Sequence, residues 1–390
     1  MKILIFAECY YPDVMGGGEF STKQMAEGLA KKGHEAVVYC LGKEACSEEI
    51  NGVSVNRRYI RETSEHFLSL CKNRSIPDPF TRLSKIIRKR GDLYPDRKWY
   101  KEYSTIIKKE APDAVHTASP MSYLGRRNLW RAAYDLKIPV SHVCRGPALL
   151  ELDFLNGRLD GFNRRCNAKA SSCLTALAAP SRFLLEAHNR AGIRGLKLNE
   201  VIYNAPGFSP VPVTPELVGK KENLVIYAGE LSRKKGILTL MQAMEGIRDA
   251  RLLLIGKGDL KDSMIRDGKA EVLDWMEREE LSAFMQRAKA VVLPSEWNEP
   301  FGRILIEATA CGTTAIGSDR GGIPEVLGHD EDHIFRSGDA ESLKSRIERV
   351  LRMPPSEYLE EIRRQQQLLS GFSDETYTDK WERFFLQQLS

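Results

Sequence analysis

The feature that most constrains this chain is a rhythm. Short unbroken apolar runs lead into glycine-bearing turns and then into helical patterns, on both sides of one proline-rich stretch. KILIFA (2–7) is a continuous apolar run of the kind a strand buried on both faces needs. It leads to 16-GGGEFS-21, a helical pattern through Met25, Leu29 and Ala30, a stop at Gly33, and a second strand, HEAVVYCL (34–41). DAVHT (113–117), IPVSHVC (138–144), LTALAAPS (174–181) and EVIYNA (200–205) continue as strands. The stretch 206-PGFSPVPVTPELVGKK-221 holds four prolines and little periodicity, and reads as a linker. The rhythm then restarts with NLVIYAGEL (223–231), a helix over 236–247 and ARLLLIGKGDL (250–260). A helix over Leu281–Lys289, AVVLPSE (290–296), TTAIGS (313–318) and GGIPEVL follow.

Alternation of this kind predicts an α/β fold with two parallel-sheet, Rossmann-like domains. A length of 390 residues also exceeds what one core supports. The expected boundaries are 1–207 for the first domain, 208–221 for the linker and 222–372 for the second domain. Residues 373–390 should carry an aromatic-rich amphipathic helix, Tyr377–Leu389, that packs back on the first domain.

Composition excludes several classes. No apolar run approaches a membrane span, and MKILIF lacks a cleavage pattern, so the expected location is cytoplasmic. Eight cysteines are scattered with no C-x-x-C pair, which gives zinc and dithiol chemistry little support and favours ordinary thiols in a reducing compartment. The formal charge of +5 is mild but uneven: Lys72–Lys109 holds twelve Lys/Arg against four Asp/Glu. Within it, 79-PFTRLSKIIRKRGDLY-94 places Phe80, Leu83, Ile86 and Ile87 on one helical face among basic residues. Two readings stand: a peripheral helix on an anionic membrane surface, or a solvated basic face whose apolar side packs on its own domain. No nucleic-acid motif accompanies the charge.

Open α/β sheets bind ligands at the carboxyl ends of their strands. Four features fall there: the Gly16–Gly18 loop, 229-GELSRKKG-236, 256-GKG-258 and 298-NEPFGRILIEATACG-312. Glycines let backbone approach a ligand, helix starts present free N–H groups to an anion, and Arg233 and Lys235 add positive charge. A phosphate-containing ligand follows. The absence of G-x-G-x-x-G and of G-x-x-x-x-G-K-[ST] disfavours a dinucleotide enzyme and a nucleoside triphosphatase. In the last feature Pro300 suits a helix start, which predicts a helix from about Phe301 to Ala310 with Glu307 two turns in. A carboxylate there needs hydroxyl partners, and a ribose diol would supply them; Glu299, ahead of the helix, would reach the group beyond the phosphates. The competing reading is two unrelated surface glutamates.

The stretch SEWNEPFGRILIEATACG resembles the Glu-(seven residues)-Glu motif of the retaining family 4 glycosyltransferases, which have the GT-B fold. The resemblance extends over nearly the whole chain, through the N-terminal glycine loop, DAVHTASP (113–120), APSRFLLEA (179–187), VIYNAP (201–206), YAGELSRKKG (227–236) and GSDRGGIPEVL (317–327). It implies two Rossmann-like domains with parallel sheets facing an interdomain cleft, and transfer of a hexosyl-type sugar from a nucleotide-sugar donor without a metal or other cofactor. The acceptor implied is a glycan or a lipid-linked molecule, in surface polysaccharide or glycolipid synthesis. By the same resemblance Lys235 neutralises the diphosphate, Glu299 contacts the donor sugar and Glu307 holds the ribose. Gly17, Gly18, Asn204, Gly256, Ser295, Phe301, Gly302 and Arg303 border the donor.

Two positions depart from the family pattern. Glu230 stands where relatives often carry Arg, with Arg233 offering that charge from a shifted position. Arg145, in CRGP, occupies the slot of a frequent His, and is expected at the sugar or acceptor end. His116 matches a strand-end His and is the acceptor candidate, with a purely structural role as the alternative. These departures keep a second reading open: a catalytically weak relative acting as a membrane-associated assembly partner.

Overall fold

The computed structural model describes residues 1–13, 16–42, 44–58, 97–118, 126–146, 160–207 and 209–390. The basic segment 79–94 lies outside them. Internal contacts divide the chain into two compact units, Met1–Ile202 with Tyr377–Ser390, and Tyr203–Thr376.

The first unit is built on strands β1 (Lys2–Phe6), β2 (Glu35–Leu41), β3 (Cys46–Ile50), β4 (Val53–Arg58), β5 (Ala114–Thr117), β6 (Val140–Val143), β7 (Ala176–Ala179) and β8 (Leu198–Val201). Their spatial order is β3-β4-β2-β1-β5-β6-β7-β8, with every pair parallel except β3 and β4. Strands β5, β6 and β7 are buried along their whole length, as a sheet covered on both faces requires. β3 breaks that rule. Its sequence is CSEEI, it lies exposed at the edge, and the sequence reading passed it over. It is joined to β4 by Asn51-Gly52, both at positive φ, which is the two-residue turn an antiparallel hairpin favours. Helices Gly17–Lys31, Arg97–Glu110, Arg126–Asp135, Asp160–Ser171 and Arg182–Arg190 make the connections. The first begins at Gly17, so Gly17 and Gly18 are helical residues rather than loop.

The final helix, Asp374–Leu389, belongs to this unit from Tyr377 onward. It buries Tyr377, Trp381, Phe384 and Phe385, and Tyr377 Oη donates to the Ser21 carbonyl at 2.8 Å. Glu382 accepts from Lys32 at 2.5 Å and contacts His34 Nε2 at 2.8 Å.

The second unit carries β9 (Glu222–Ala228), β10 (Arg251–Ile255), β11 (Glu271–Leu273), β12 (Ala288–Leu293), β13 (Thr314–Ser318) and β14 (Ile334–Phe335). They form a fully parallel sheet in the order β11-β10-β9-β12-β13-β14. Helices Ile237–Met244, Lys261–Asp267, Arg278–Arg287, Arg303–Ala310, Ala340–Arg352 and Pro355–Leu368 flank it. The proline-rich segment expected as a linker is part of this unit. Thr214 caps a short helix, Pro215–Gly219, and Val218 is buried. Val211 N–H donates to the Ala310 carbonyl at 2.8 Å, and Gln366 Nε2 donates to the Val211 carbonyl at 3.1 Å. Prolines remove helical and ladder bonds but leave an extended chain free to dock, so aperiodicity here marks a packed strap.

Both sheets reverse direction of winding at one point, between β1 and β5 in the first and between β9 and β12 in the second. Such points leave a crevice at the carboxyl ends of the two strands, where ligands of open sheets bind. Among the described residues no helix is long and apolar enough to cross a membrane.

Candidate functional site

In the second unit the chain after β9 and the chain after β12 meet at the reversal point. The first runs through a turn of 3-10 helix, Arg233–Lys235, to Gly236. The second runs from Pro294 to Gly302. Gly236 has φ 72°, and a Cβ there would lie 1.8 Å from the Pro294 carbonyl oxygen, so the two backbones are in direct contact. Glu296 and Trp297 N–H groups both donate to the Lys234 carbonyl, at 3.0 and 3.2 Å. Gly256, ending β10, packs against Gly229.

This lacing brings Lys235 and Glu299 together. Lys235 Nζ lies 2.6 Å from Glu299 Oε1. Ser295 Oγ donates to the same oxygen at 2.9 Å, and Trp297 Nε1 donates to it at 2.8 Å. Glu299 is buried to 7% exposure and Ser295 completely. Arg233, on the same turn, is exposed and makes no ion pair among the described residues. Glu230 pairs with Lys234 at 3.0 Å, and its carbonyl accepts from Tyr227 Oη at 2.7 Å. Burial, then the Glu299 and Glu230 charges, hold that phenol well above its usual pKa.

The helix that carries Glu307 starts later than expected. It spans Arg303–Ala310, and its N-cap is Gly302 at φ 97°. Pro300 lies outside it. A cap in the left-handed region is available to glycine and not to the residues before it, which moves the start by two positions. Glu307 is therefore in the second turn, not two turns in. Its Oε1 accepts from Arg303 Nε at 3.1 Å and from Arg278 at 2.9 Å. Arg303 also donates to the Ala205 carbonyl at 2.5 Å, and Arg278 to the Pro206 carbonyl. Asn204 is buried on that same stretch. The Phe301 side chain is in the core, stacked on Tyr203.

Among the described residues, the hydrogen bonds to both glutamates fall on Oε1. An ionised carboxylate has about four acceptor positions, so Oε2 of each glutamate can accept further hydrogen bonds. Trp297 and Arg278 are the two residues in this arrangement that the sequence reading did not name. Trp297 was in view inside the motif; Arg278 had no local signal.

In the first unit, Arg145 Nε donates to the Ala118 carbonyl at the end of β5, at 3.1 Å. A side chain at Gly18 would come within 3.4 Å of Arg145 Cδ, so the helix start and the arginine are neighbours at that sheet's reversal point. Gly17 and Gly18 carbonyls accept from Ser21 and Thr22 hydroxyls inside the helix. His116 corrects an expectation. It is fully buried, with Nδ1 2.9 Å from Ser141 Oγ and its ring edge-on to Trp381 and Phe385. Helix Asp374–Leu389 covers it, so it has no surface for an acceptor. His142 is likewise a core residue, against Trp130 and Thr117.

Two family descriptions match the chain: Glycosyltransferase Family 4 over residues 15–205, and Glycosyl transferases group 1 over residues 214–367. The chain is a family 4 glycosyltransferase. An uncharacterised 42.6 kDa protein in the cps region of Klebsiella pneumoniae is 27% identical to it over 84% of this chain and 87% of the relative. An uncharacterised glycosyltransferase of Methanocaldococcus jannaschii is 27% identical over 90% and 89%. The crystal structure of Anabaena HepE in complex with UDP superposes with a TM-score of 0.70 at 17% identity, covering 98% of this chain and 99% of that one. The glycosyltransferase therefore has the GT-B fold.

Among the described residues, one group of metal-type side chains comes together elsewhere in this glycosyltransferase. Asp330, His333 and Glu361 converge at the amino end of β14, away from the glutamate pair. Arg364 already bridges both carboxylates, at 2.6 Å to Asp330 and 2.8 Å to Glu361, so the cluster has its cation. Burial pulls His333 below its ordinary pKa, opposed by Glu361 and Asp330.

Proposed function

We propose that this glycosyltransferase moves a hexosyl-type sugar from a nucleoside-diphosphate sugar to a glycan or lipid-linked acceptor, with retention, in surface polysaccharide or glycolipid synthesis. The observation that carries the reading is the pairing of Lys235 with Glu299 at a reversal point, with one carboxylate oxygen left over on each motif glutamate. HepE, of the same fold, binds UDP, and the Klebsiella relative comes from a cps region; both favour a nucleotide-sugar and a surface glycan.

In this reading the donor diphosphate takes Lys235 and the positive end of helix Arg303–Ala310. Ribose hydroxyls donate to Glu307, and a sugar hydroxyl donates to Glu299. Ser295, Gly256 and the 301–303 backbone line the same end, Arg233 lends its exposed charge to the anion, and Asn204 borders the nucleoside side. The bond between sugar C1 and phosphate oxygen breaks with its electron pair going to the diphosphate. Lys235 stabilises that charge as it develops, which is worth more in a water-poor site than in solution. The acceptor hydroxyl oxygen bonds to C1 on the face the diphosphate leaves, and its proton passes to the departing phosphate oxygen. In the first unit, Gly17 and Gly18 stay candidates for the donor and Arg145 for the sugar or acceptor.

The test is a donor screen by diphosphate release with UDP- and GDP-sugars, followed by Lys235→Ala and Glu299→Ala. Both variants should lose transfer while melting near the wild-type temperature. Full activity in both would remove this site from the reaction.

A further inference from the structure

One side chain touches both members of the central ion pair. Trp297 Nε1 donates to Glu299 Oε1 at 2.8 Å, while its ring lies 4.7 Å from Lys235 Nζ and 5.7 Å from Lys234 Nζ. Its own backbone N–H is tied to the Lys234 carbonyl. The ring is therefore fixed to the turn that carries the lysines while its N–H reaches the carboxylate. It is only partly buried, so it does not serve as a core anchor.

The arrangement matters because Lys235 has two claims on it. It is paired with Glu299. A diphosphate would draw it away, leaving Glu299 Oε1 with Ser295 and Trp297 as donors. A carboxylate held by one hydroxyl alone would turn about its last torsion, whereas two donors from different residues fix its plane. A lysine drawn off its carboxylate keeps a partner in the indole face.

We propose that Trp297 is a positioning residue of the donor site, whose N–H holds the Glu299 carboxylate with Oε2 turned to the sugar and whose ring steadies Lys235 under the diphosphate. This rests on the donor-site reading above. The two roles belong to different parts of the side chain, so two substitutions separate them. Trp297→Phe keeps a ring and removes the N–H. Trp297→Leu removes both.

The experiment measures UDP and GDP affinity by calorimetry, and kcat and KM for diphosphate release from UDP-glucose and GDP-mannose, on wild type and both variants. Trp297→Phe should bind the nucleotides within about twofold of wild type but lose about tenfold or more in kcat, with a small change in KM. Trp297→Leu should show the same loss in kcat and bind the nucleotides about fivefold more weakly. Thermal melts of all three should coincide within a few degrees. Wild-type kcat in Trp297→Phe, or wild-type nucleotide affinity in Trp297→Leu, overturns the proposal while leaving the donor site standing. Equal loss of nucleotide affinity in both variants overturns it too, since a general disturbance of the loop would do that. A wild-type chain that binds neither UDP nor GDP overturns the donor-site reading and this proposal together.

Discussion

If a diphosphate competes with Glu299 for Lys235, neutralising Glu299 should strengthen nucleotide binding while it destroys transfer. The perturbation is Glu299→Gln. The amide oxygen still accepts from Ser295 and Trp297, so the loop keeps its shape. Lys235 Nζ lies 2.6 Å from the carboxylate, and both side chains are mostly buried, at 16% and 9% exposure. A phosphate oxygen on the other flank of the same ammonium, about 2.8 Å from it, would lie about 5 Å from the carboxylate. At an effective dielectric near 20, two unit negative charges at that distance repel by about 3 kcal/mol, and water in the open site reduces this to about 1–2 kcal/mol. Removing the charge should therefore tighten UDP or GDP binding by about five- to thirtyfold. The sugar, which gains positive charge in the transition state, loses its carboxylate, and turnover should fall by about a hundredfold or more. Calorimetry with UDP and GDP at fixed salt, beside diphosphate release from the matching sugars, reads both. Lys235→Met is the counterpart and should weaken nucleotide binding by about tenfold or more. The competition argument fails if Glu299→Gln binds nucleotide more weakly than wild type, for then the carboxylate supports the anion site rather than opposing it.

Three further outcomes follow from the same geometry. Gly236→Ala forces an L side chain to φ 72° with its Cβ 1.8 Å from the Pro294 oxygen, so urea unfolding of the second unit should show a loss of about 3 kcal/mol or more; a neutral substitution would mean the two loops are not in contact. Burial draws Lys221 from 10.5 down to about 7, with Nζ donating to Thr313 Oγ1 at 2.8 Å. Between those values the unfolded chain holds a proton the folded chain lacks, so wild-type stability rises with pH across the window. Lys221→Met should then gain about 2 kcal/mol at pH 7, after allowance for the partly exposed amine, and nothing above pH 10.5. A gain independent of pH would refute the cause. Burial, and then the Arg145 charge, hold His116 far below its usual value, so wild-type stability should fall as pH drops below about 6.5, where the unfolded histidine takes a proton and the folded one does not. His116→Leu should lessen that dependence in acid melts, with His333 contributing the same sign, and leave diphosphate release within about twofold, whereas a large loss of turnover would return His116 to the site.

What the sequence made legible was whatever repeats at short range. β1 and β12 stood out because strands covered on both faces carry continuous apolar runs, Ile3–Phe6 and Ala290–Leu293. β3 did not, since an edge strand can be wholly polar, yet Asn51-Gly52 announced its hairpin to a reader looking for turns instead of apolar runs. The helix holding Glu307 was found by its period and misplaced at its start, because Pro300 is a common opening signal while the left-handed cap at Gly302 has no pattern of its own. With the helix beginning at Arg303, Arg303 and Glu307 stand four apart on one face and pair, and Arg278 arrives from 29 residues away to share the same oxygen. The choice between a structural and an acceptor role for His116 was not legible locally, because the aromatic helix that buries it comes from the far end of the chain. Local pattern thus locates the acids and the lysine. Which oxygen of each acid is occupied is decided by Lys235, Trp297, Ser295, Arg278 and Arg303, through contacts that only the folded second unit brings together.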